Sequence, residues 1–279
     1  MTALDYEAEY NNRARVPEHP AIFERWTRAA AAFRTSHPNA ELGISYGEGP
    51  RECIDLFWPS TSRDAPIFLF IHGGYWRSLE PALFSHVAAG VNAHGYAMAL
   101  AGYDLCPDVS IAKIIEEVRN AAAFLGRRHD RKMVACGHSA GGHLVSCLLA
   151  TDWKKHAPGI PADLVPVAFS ISGLFDLSPL IGISMNADLK LEPQEARRVS
   201  PLFWEVPQTA RMFDAWVGAK ESGEFLRQSR TIAEAWQKTG VATRYQEVTG
   251  ADHFTVVDPL ADPSSAMTKR LVELARSIG

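Results

Sequence analysis

Residues 137–141 read Gly-His-Ser-Ala-Gly, and their setting restricts the fold more than any other feature of the chain. The pentad follows an apolar run at 133–136 and opens a helix-like stretch at 140–150. A G-x-S-x-G between strand and helix predicts a sharp turn that lifts the serine above the end of a sheet. The N–H groups at the helix start then face any negative charge developing beside that serine. Without strand and helix the pentad would be a chance match; with them Ser139 is the candidate nucleophile.

The rest of the chain supplies the sheet. Apolar or alternating runs at 51–58, 66–71, 96–101, 133–136, 165–172, 211–217 and 243–248 read as strands. Between them, 81–92, 111–125, 140–150, 225–238 and 266–278 have helical spacing, as does 21–34 ahead of them. The run 51–58 alternates and reads as an edge strand; 43–50 reads as a turn. Strands alternating with helices argue a mostly parallel sheet covered on both faces. With 279 residues, 47% of them hydrophobic, one large α/β domain is expected, with no room for disorder or a coiled coil. Residues 1–20 read as an irregular N-terminal arm, and the stretch from about 174 to 208 as a cap-like insertion of short helices over one end of the sheet.

Composition narrows the partners. A net charge of −4 without clustered Lys and Arg provides no field for nucleic acid. The longest apolar runs, such as 67–71, fall far short of the roughly 20 residues of a membrane span. No secretory signal is visible at the N-terminus, and four cysteines without C-x-x-C spacing suit reduced thiols in a cytoplasm. No HExxH or His/Cys cluster suggests a metal, and the chemistry below needs no cofactor. The oligomeric state is open, a homodimer included.

A serine nucleophile needs a base, an orienting acid and an oxyanion site. His72-Gly73-Gly74-Tyr75-Trp76 follows the strand at 66–71, where esterases carry a glycine-rich oxyanion loop. The N–H groups of Gly73 and Gly74, with that of Ala140, are the candidate donors, and His72 reads as a residue that orients the loop. One such donor is typically worth roughly 2.7–4 kcal/mol of barrier. His253 follows the last strand, in the chain order Ser, acid, His. Glu221 lies just beyond the strand at 211–217, in a loop with two nearby glycines, and is the leading acid. Asp214, inside that strand, is the alternative; Glu224 reads as an ordinary first-turn helix residue, and Asp252 points away from its neighbour His253.

These residues together resemble the kynurenine formamidases (arylformamidases), a family of α/β-hydrolases. His72-Gly73-Gly74-Tyr75-Trp76 is similar to the family's HGGxW signature. The stretch from Glu221 to Ser229 resembles its D-S-x-E-F-x-R-Q-S segment, with Glu in place of the usual Asp. Asp252-His253-Phe254 matches its D-H-F, and Ile171 to Leu177 resembles another of its strand ends. The likeness covers most of the chain and implies an α/β-hydrolase fold, mostly parallel, that hydrolyses N-formyl aryl amides such as N-formyl-L-kynurenine. Tyr75, Trp76 and Phe254 are the expected contacts of a flat aromatic substrate, with Trp76 the foremost. A carboxylesterase, or an amidase for another acylated arylamine, would use the same triad. A non-catalytic receptor on this fold would have lost Ser139 or His253.

Overall fold

The structure is a computed structural model and describes residues 4–207 and 210–278. Its strands are β1 (Ala40–Ser45), β2 (Cys53–Phe57), β3 (Ile67–Ile71), β4 (Ala97–Ala101), β5 (Val134–His138), β6 (Val167–Ile171), β7 (Met212–Gly218) and β8 (Ala242–Val248). They form one sheet in the order β1-β2-β4-β3-β5-β6-β7-β8, parallel from β4 to β8, with β2 antiparallel to both β1 and β4.

The period of two explains why the interior strands are uniformly apolar. In β3, Ile67, Leu69 and Ile71 join the core on one face, while Phe68 and Phe70 join the core on the other. All five are buried, as a strand covered on both faces requires.

Eleven α-helices flank the sheet among the described residues. α1 (Tyr6–Tyr10), α2 (Asn12–Arg15) and α3 (His19–Ser36) precede it; α4 (Ala88–Asn92), α5 (Ile111–His129), α6 (Ala140–Leu149) and α7 (Trp153–His156) follow. Next come α8 (Asn186–Leu189), α9 (Pro193–Arg198), α10 (Gly223–Gln237) and α11 (Ala266–Arg276). The long helices have local reasons to start where they do. Ser110, Ser222 and Ser265 precede α5, α10 and α11 and accept hydrogen bonds from the first-turn N–H groups of Lys113, Phe225 and Thr268. None of the described helices is long and apolar enough to cross a membrane.

Four details depart from the sequence reading. The stretch 43–50 is not all turn: β1 reaches Ser45, and the pairing register slips between Glu41 and Ile44, where Gly43 sits at φ +68°. That irregularity is a bulge, and its glycine mimics a turn in the sequence. β2 is therefore not an edge strand, because β1 covers it. The segment Pro81–Val87 is a 3₁₀ helix leading into α4. The arm is not irregular either from residue 4 on, residues 1–3 lying outside the described residues; it is folded into α1 and α2, each capped by the side chain before it, Asp5 and Asn11.

β3 lies between β4 and β5, so the chain leaves β3 for one neighbour and returns to the other. Loops at the carboxyl ends of such strands diverge and leave a crevice there. The segments holding His72–Gly74, Ser139, Ser172, Glu221 and His253 all follow the carboxyl ends of β3, β5, β6, β7 and β8.

Candidate active site

Ser139 sits at φ +57° and ψ −119°, a conformation costly for a residue with a side chain. It is over-determined by its surroundings: its N–H donates to the Ile171 carbonyl (2.8 Å), and its own carbonyl accepts from His143 N–H (3.2 Å). The flanking glycines are required by close approach. A Cβ on Gly137 would lie 2.3 Å from the Gly141 carbonyl oxygen, and one on Gly141 would lie 1.9 Å from the Ile71 oxygen.

His253 Nε2 is 3.0 Å from Ser139 Oγ, and its Nδ1 is 2.6 Å from Glu221 Oε2. A carboxylate accepts only, so the proton lies on Nδ1 and leaves the Nε2 lone pair facing the serine hydroxyl. The other oxygen of Glu221 accepts from Gly218 N–H (2.7 Å) and from Ser172 Oγ (2.5 Å). Ser172 holds φ +54° at the end of β6 to make that bond. Glu221 is one methylene longer than the Asp usual in the related segment. Its carboxylate folds back on Gly218, three residues earlier, and still reaches the imidazole. The other acids lie elsewhere. Asp214 pairs with Arg270 (2.9 and 3.1 Å), Glu224 with Arg227 and Tyr10, and Asp252 accepts from the N–H groups of Phe254 and Thr255.

His138, the variable residue of the pentad, has a partner that no spacing rule signals. Its Nε2–H donates to the carbonyl of His253 (2.7 Å), tying the end of β5 to the backbone of the candidate base. Burial holds its pKa down to about 3, so it stays neutral and keeps that donor.

The loop after β3 is pressed onto the serine: a Cβ on Gly73 would lie 2.9 Å from Ser139 Cβ. The N–H groups of Gly73 and Gly74 donate to no backbone or side-chain acceptor among the described residues, and Ala140 is the first residue of α6, whose N–H has no helical acceptor. Tyr75 and Trp76 then occupy successive left-handed positions, at φ +50° and +56°. Bonds on both sides hold them. Tyr75 Oη donates to the Tyr10 carbonyl (2.6 Å), and Trp76 Nε1–H donates to His143 Nδ1 (3.3 Å). His143 can accept there because its Nε2–H donates to the Val199 carbonyl (2.7 Å); burial keeps it neutral, its pKa near 4. His72 bonds within its own loop through Nδ1 (Gly73 O, 2.7 Å) and stacks on Tyr103.

A cavity of about 730 Å³, its open mouth included, rises above Ser139 and His253. Of the three aromatic residues singled out in the sequence, Tyr75 and Phe254 line it and Trp76 does not. The indole is fully buried and packs edge-on against His143, so it anchors the loop to α6 and cannot face a substrate in this cavity. The walls that sequence reasoning missed are Tyr10, Asn12 and Arg13 of the arm, Phe23 and Trp26 of α3, and Ser184 and Met185 before α8.

Residues 54–173 match the family model described as BD-FAE. The kynurenine formamidase of Salmo salar is 30% identical to this chain over 84% of it and 81% of the salmon protein. The chain belongs to the kynurenine formamidase family. That of Danio rerio is 29% identical over the same shares of the two chains. A solved structure from a Silicibacter species, named as a candidate thioesterase, superimposes with a TM-score of 0.86 at 33% identity, over 97% of this chain and all of that one. The eight-stranded, mostly parallel sheet is that of the α/β-hydrolases, and the chain is a hydrolase of this formamidase family.

Proposed function

We propose that this enzyme hydrolyses N-formyl aryl amides, N-formyl-L-kynurenine above all, giving L-kynurenine and formate. The observation that carries the reading is the relay Glu221–His253–Ser139, with bonds of 2.6 and 3.0 Å, opening into an aromatic-walled cavity in a chain of this family. In this reading Ser139 Oγ attacks the formyl carbon while His253 Nε2 takes its proton. The N–H groups of Gly73, Gly74 and Ala140 receive the oxyanion. His253 returns the proton to the aryl nitrogen, the C–N bond breaks, and the arylamine leaves. Water then attacks the formyl ester on Ser139, giving its proton to His253; formate departs and His253 reprotonates the serine. Glu221 fixes the tautomer throughout.

An arylamine is a better leaving group than an alkylamine, and formyl is the smallest acyl group. The closeness of Gly73 to Ser139 supports a tight acyl side, and the rings of Tyr75, Phe23 and Phe254 support a flat leaving group. We take the chain as one hydrolase domain in which residues 174–207 serve as a cap, residue 208 of the expected insertion lying outside the described residues; Ser184 and Met185 at the cavity wall favour this. With unpaired cysteines we place the enzyme in the cytoplasm. The Silicibacter relative favours one second reading, a thioesterase or esterase. Steady-state kinetics on N-formyl-L-kynurenine, its N-acetyl analogue, p-nitrophenyl acetate and acetyl-CoA separate the two. A kcat/KM highest for the formyl amide is expected; one highest for either ester would overturn the formamidase reading.

A further inference from the structure

The active-site cavity has two guanidinium groups on its wall, Arg13 and Arg77. They are not equivalent. Arg77 Nη1 is 2.5 Å from Asp188 Oδ2, so its charge is already matched. Arg13, on α2 of the arm, is exposed and makes no ion pair or hydrogen bond among the described residues; its guanidinium carbon lies 5.9 Å from the centroid of Phe23. From there a row of rings leads inward: Phe23 meets Phe254 edge-on at 5.2 Å, and Phe254 meets His253 at 5.5 Å. The cavity thus runs from an unmatched cation, past apolar ring faces, to the candidate base.

We infer that Arg13 anchors a carboxylate of the substrate remote from the scissile bond, so that the N-terminal arm is the element that selects for an amino-acid headgroup. This deepens the formamidase reading and rests on it. A substrate such as N-formyl-L-kynurenine, whose formamide and amino-acid side chain leave one aromatic ring ortho to each other, would place the reacting carbon at Ser139, the ring along Phe23 and Phe254, and the carboxylate at the end of the side chain at Arg13. Glu7, on the same arm and the same wall, supplies the opposite charge for an ammonium group. Its oxygens are fixed by Ser184 N–H (2.7 Å) and Ser184 Oγ (2.8 Å).

The arm is built to hold Arg13 in place. Tyr10 Oη donates to Glu224 Oε2 (2.7 Å) and accepts from Gln228 Nε2 (3.0 Å), and the Tyr10 carbonyl accepts from Tyr75. Asn12 Nδ2 donates to Tyr75 Oη (3.3 Å), and Asn11 caps α2 through Ala14 N–H (3.2 Å). Arg13 therefore projects from a backbone fixed on both sides, and binding an anion orders little beyond the side chain itself. A planar guanidinium suits a carboxylate through paired hydrogen bonds.

The test compares kcat/KM for N-formyl-L-kynurenine with that for 2′-formamidoacetophenone, which keeps the formanilide and lacks the headgroup. Arg13→Gln should lower the ratio of the two by about ten- to a hundredfold, through KM. Arg13→Lys should recover part of the loss, and Arg28→Gln, which alters an exposed cation of α3 outside the cavity wall, should leave the ratio at its wild-type value. Equal losses on both substrates, or an unchanged ratio in Arg13→Gln, would overturn the inference. Should the wild type hydrolyse neither formanilide, the formamidase reading fails by itself. The arm is then read from 3-(4-acetoxyphenyl)propionate, whose carboxylate lies on the aryl leaving group, against phenyl acetate: a loss in Arg13→Gln confined to the anionic ester upholds Arg13 as the anchor, and equal losses on both reject it.

Discussion

Replacing Glu221 with Gln changes no shape and one hydrogen-bonding character, and the outcome can be worked from the bonds around the carboxylate. Three donors point at it: Gly218 N–H and Ser172 Oγ–H at Oε1, and His253 Nδ1–H at Oε2. A glutamine offers one accepting oxygen and one donating NH2 group. With the amide oxygen toward His253, the NH2 would meet the fixed Gly218 N–H, donor against donor, in a buried site. Turned the other way, the oxygen keeps both Gly218 and Ser172, and the NH2 faces His253 Nδ1. The second arrangement satisfies two donors and is favoured. It also forces the imidazole to accept at Nδ1 and to carry its proton on Nε2. The nitrogen that should take the Ser139 proton is then already protonated. An equivalent tautomer error in a serine protease lowers kcat by about 10⁴. At about 1.36 kcal/mol per tenfold, that is about 5.4 kcal/mol of lost transition-state stabilisation. Stability should change little, because the favoured arrangement keeps every polar partner. The assay is kcat on N-formyl-L-kynurenine together with a thermal melt and the rate of labelling by a fluorophosphonate. A folded Glu221→Gln protein that keeps kcat within tenfold of wild type would refute the tautomer argument.

Ser139→Ala should lower kcat by more than about a thousandfold with melting unchanged within a few degrees, since among the described residues Ser139 supplies the hydroxyl hydrogen-bonded to His253 Nε2; near-normal turnover would exclude the serine mechanism. Tyr10→Phe removes two buried hydrogen bonds but leaves Glu224 with Arg227 and Gln228 with the Asp176 carbonyl, so a loss of about 1–2 kcal/mol is expected in urea titration. The buried His72, His138 and His143 are held neutral with pKa values of about 4, 3 and 4, below the ordinary 6.5, because burial disfavours their charged forms. The unfolded chain therefore binds protons first as pH falls, and stability present above pH 6.5 is lost progressively from 6.5 down through the folded values of about 3 to 4. An unfolding free energy flat from pH 6.5 to 5 would contradict this.

The interior of the fold is legible because each interior strand must be apolar on both faces. The runs at 66–71 and 96–101 contain β3 and β4 with at most one extra residue at an end. Legibility fails where a local irregularity imitates a different element. Gly43 gives the β1 bulge the look of a turn, and once β1 is missed, β2 is taken for an edge. The pentad and the loop at 72–76 carry their chemistry in glycines that steric contact demands, so spacing alone draws attention to them. Glu221 is legible as a loop acid after β7; that its carboxylate needs Ser172 at a left-handed φ is not, because those two residues lie 49 positions apart.

The arm is the clearest case of structure hidden from pattern. Helices of five and four residues carry too few turns to show a period, and their polar faces resemble any solvated terminus. Their order comes from partners more than 200 positions away, Tyr10 with Glu224 and Gln228. The segment from Glu221 to Ser229 thus has two duties. Its first residue orients His253, and its later residues Glu224 and Gln228 fix the arm that closes the cavity over the same imidazole. Gln228 also accepts from the N–H groups of Phe175 and Asp176 (both 2.9 Å), so one side chain joins the arm to the segment after β6. A run of residues that reads as an acid with its neighbours is, in three dimensions, the joint between the Glu221–His253–Ser139 hydrogen-bond chain and the arm that lines the cavity above it. A change at Gln228 should therefore disturb headgroup recognition and stability together, whereas a change at Glu221 should disturb turnover alone.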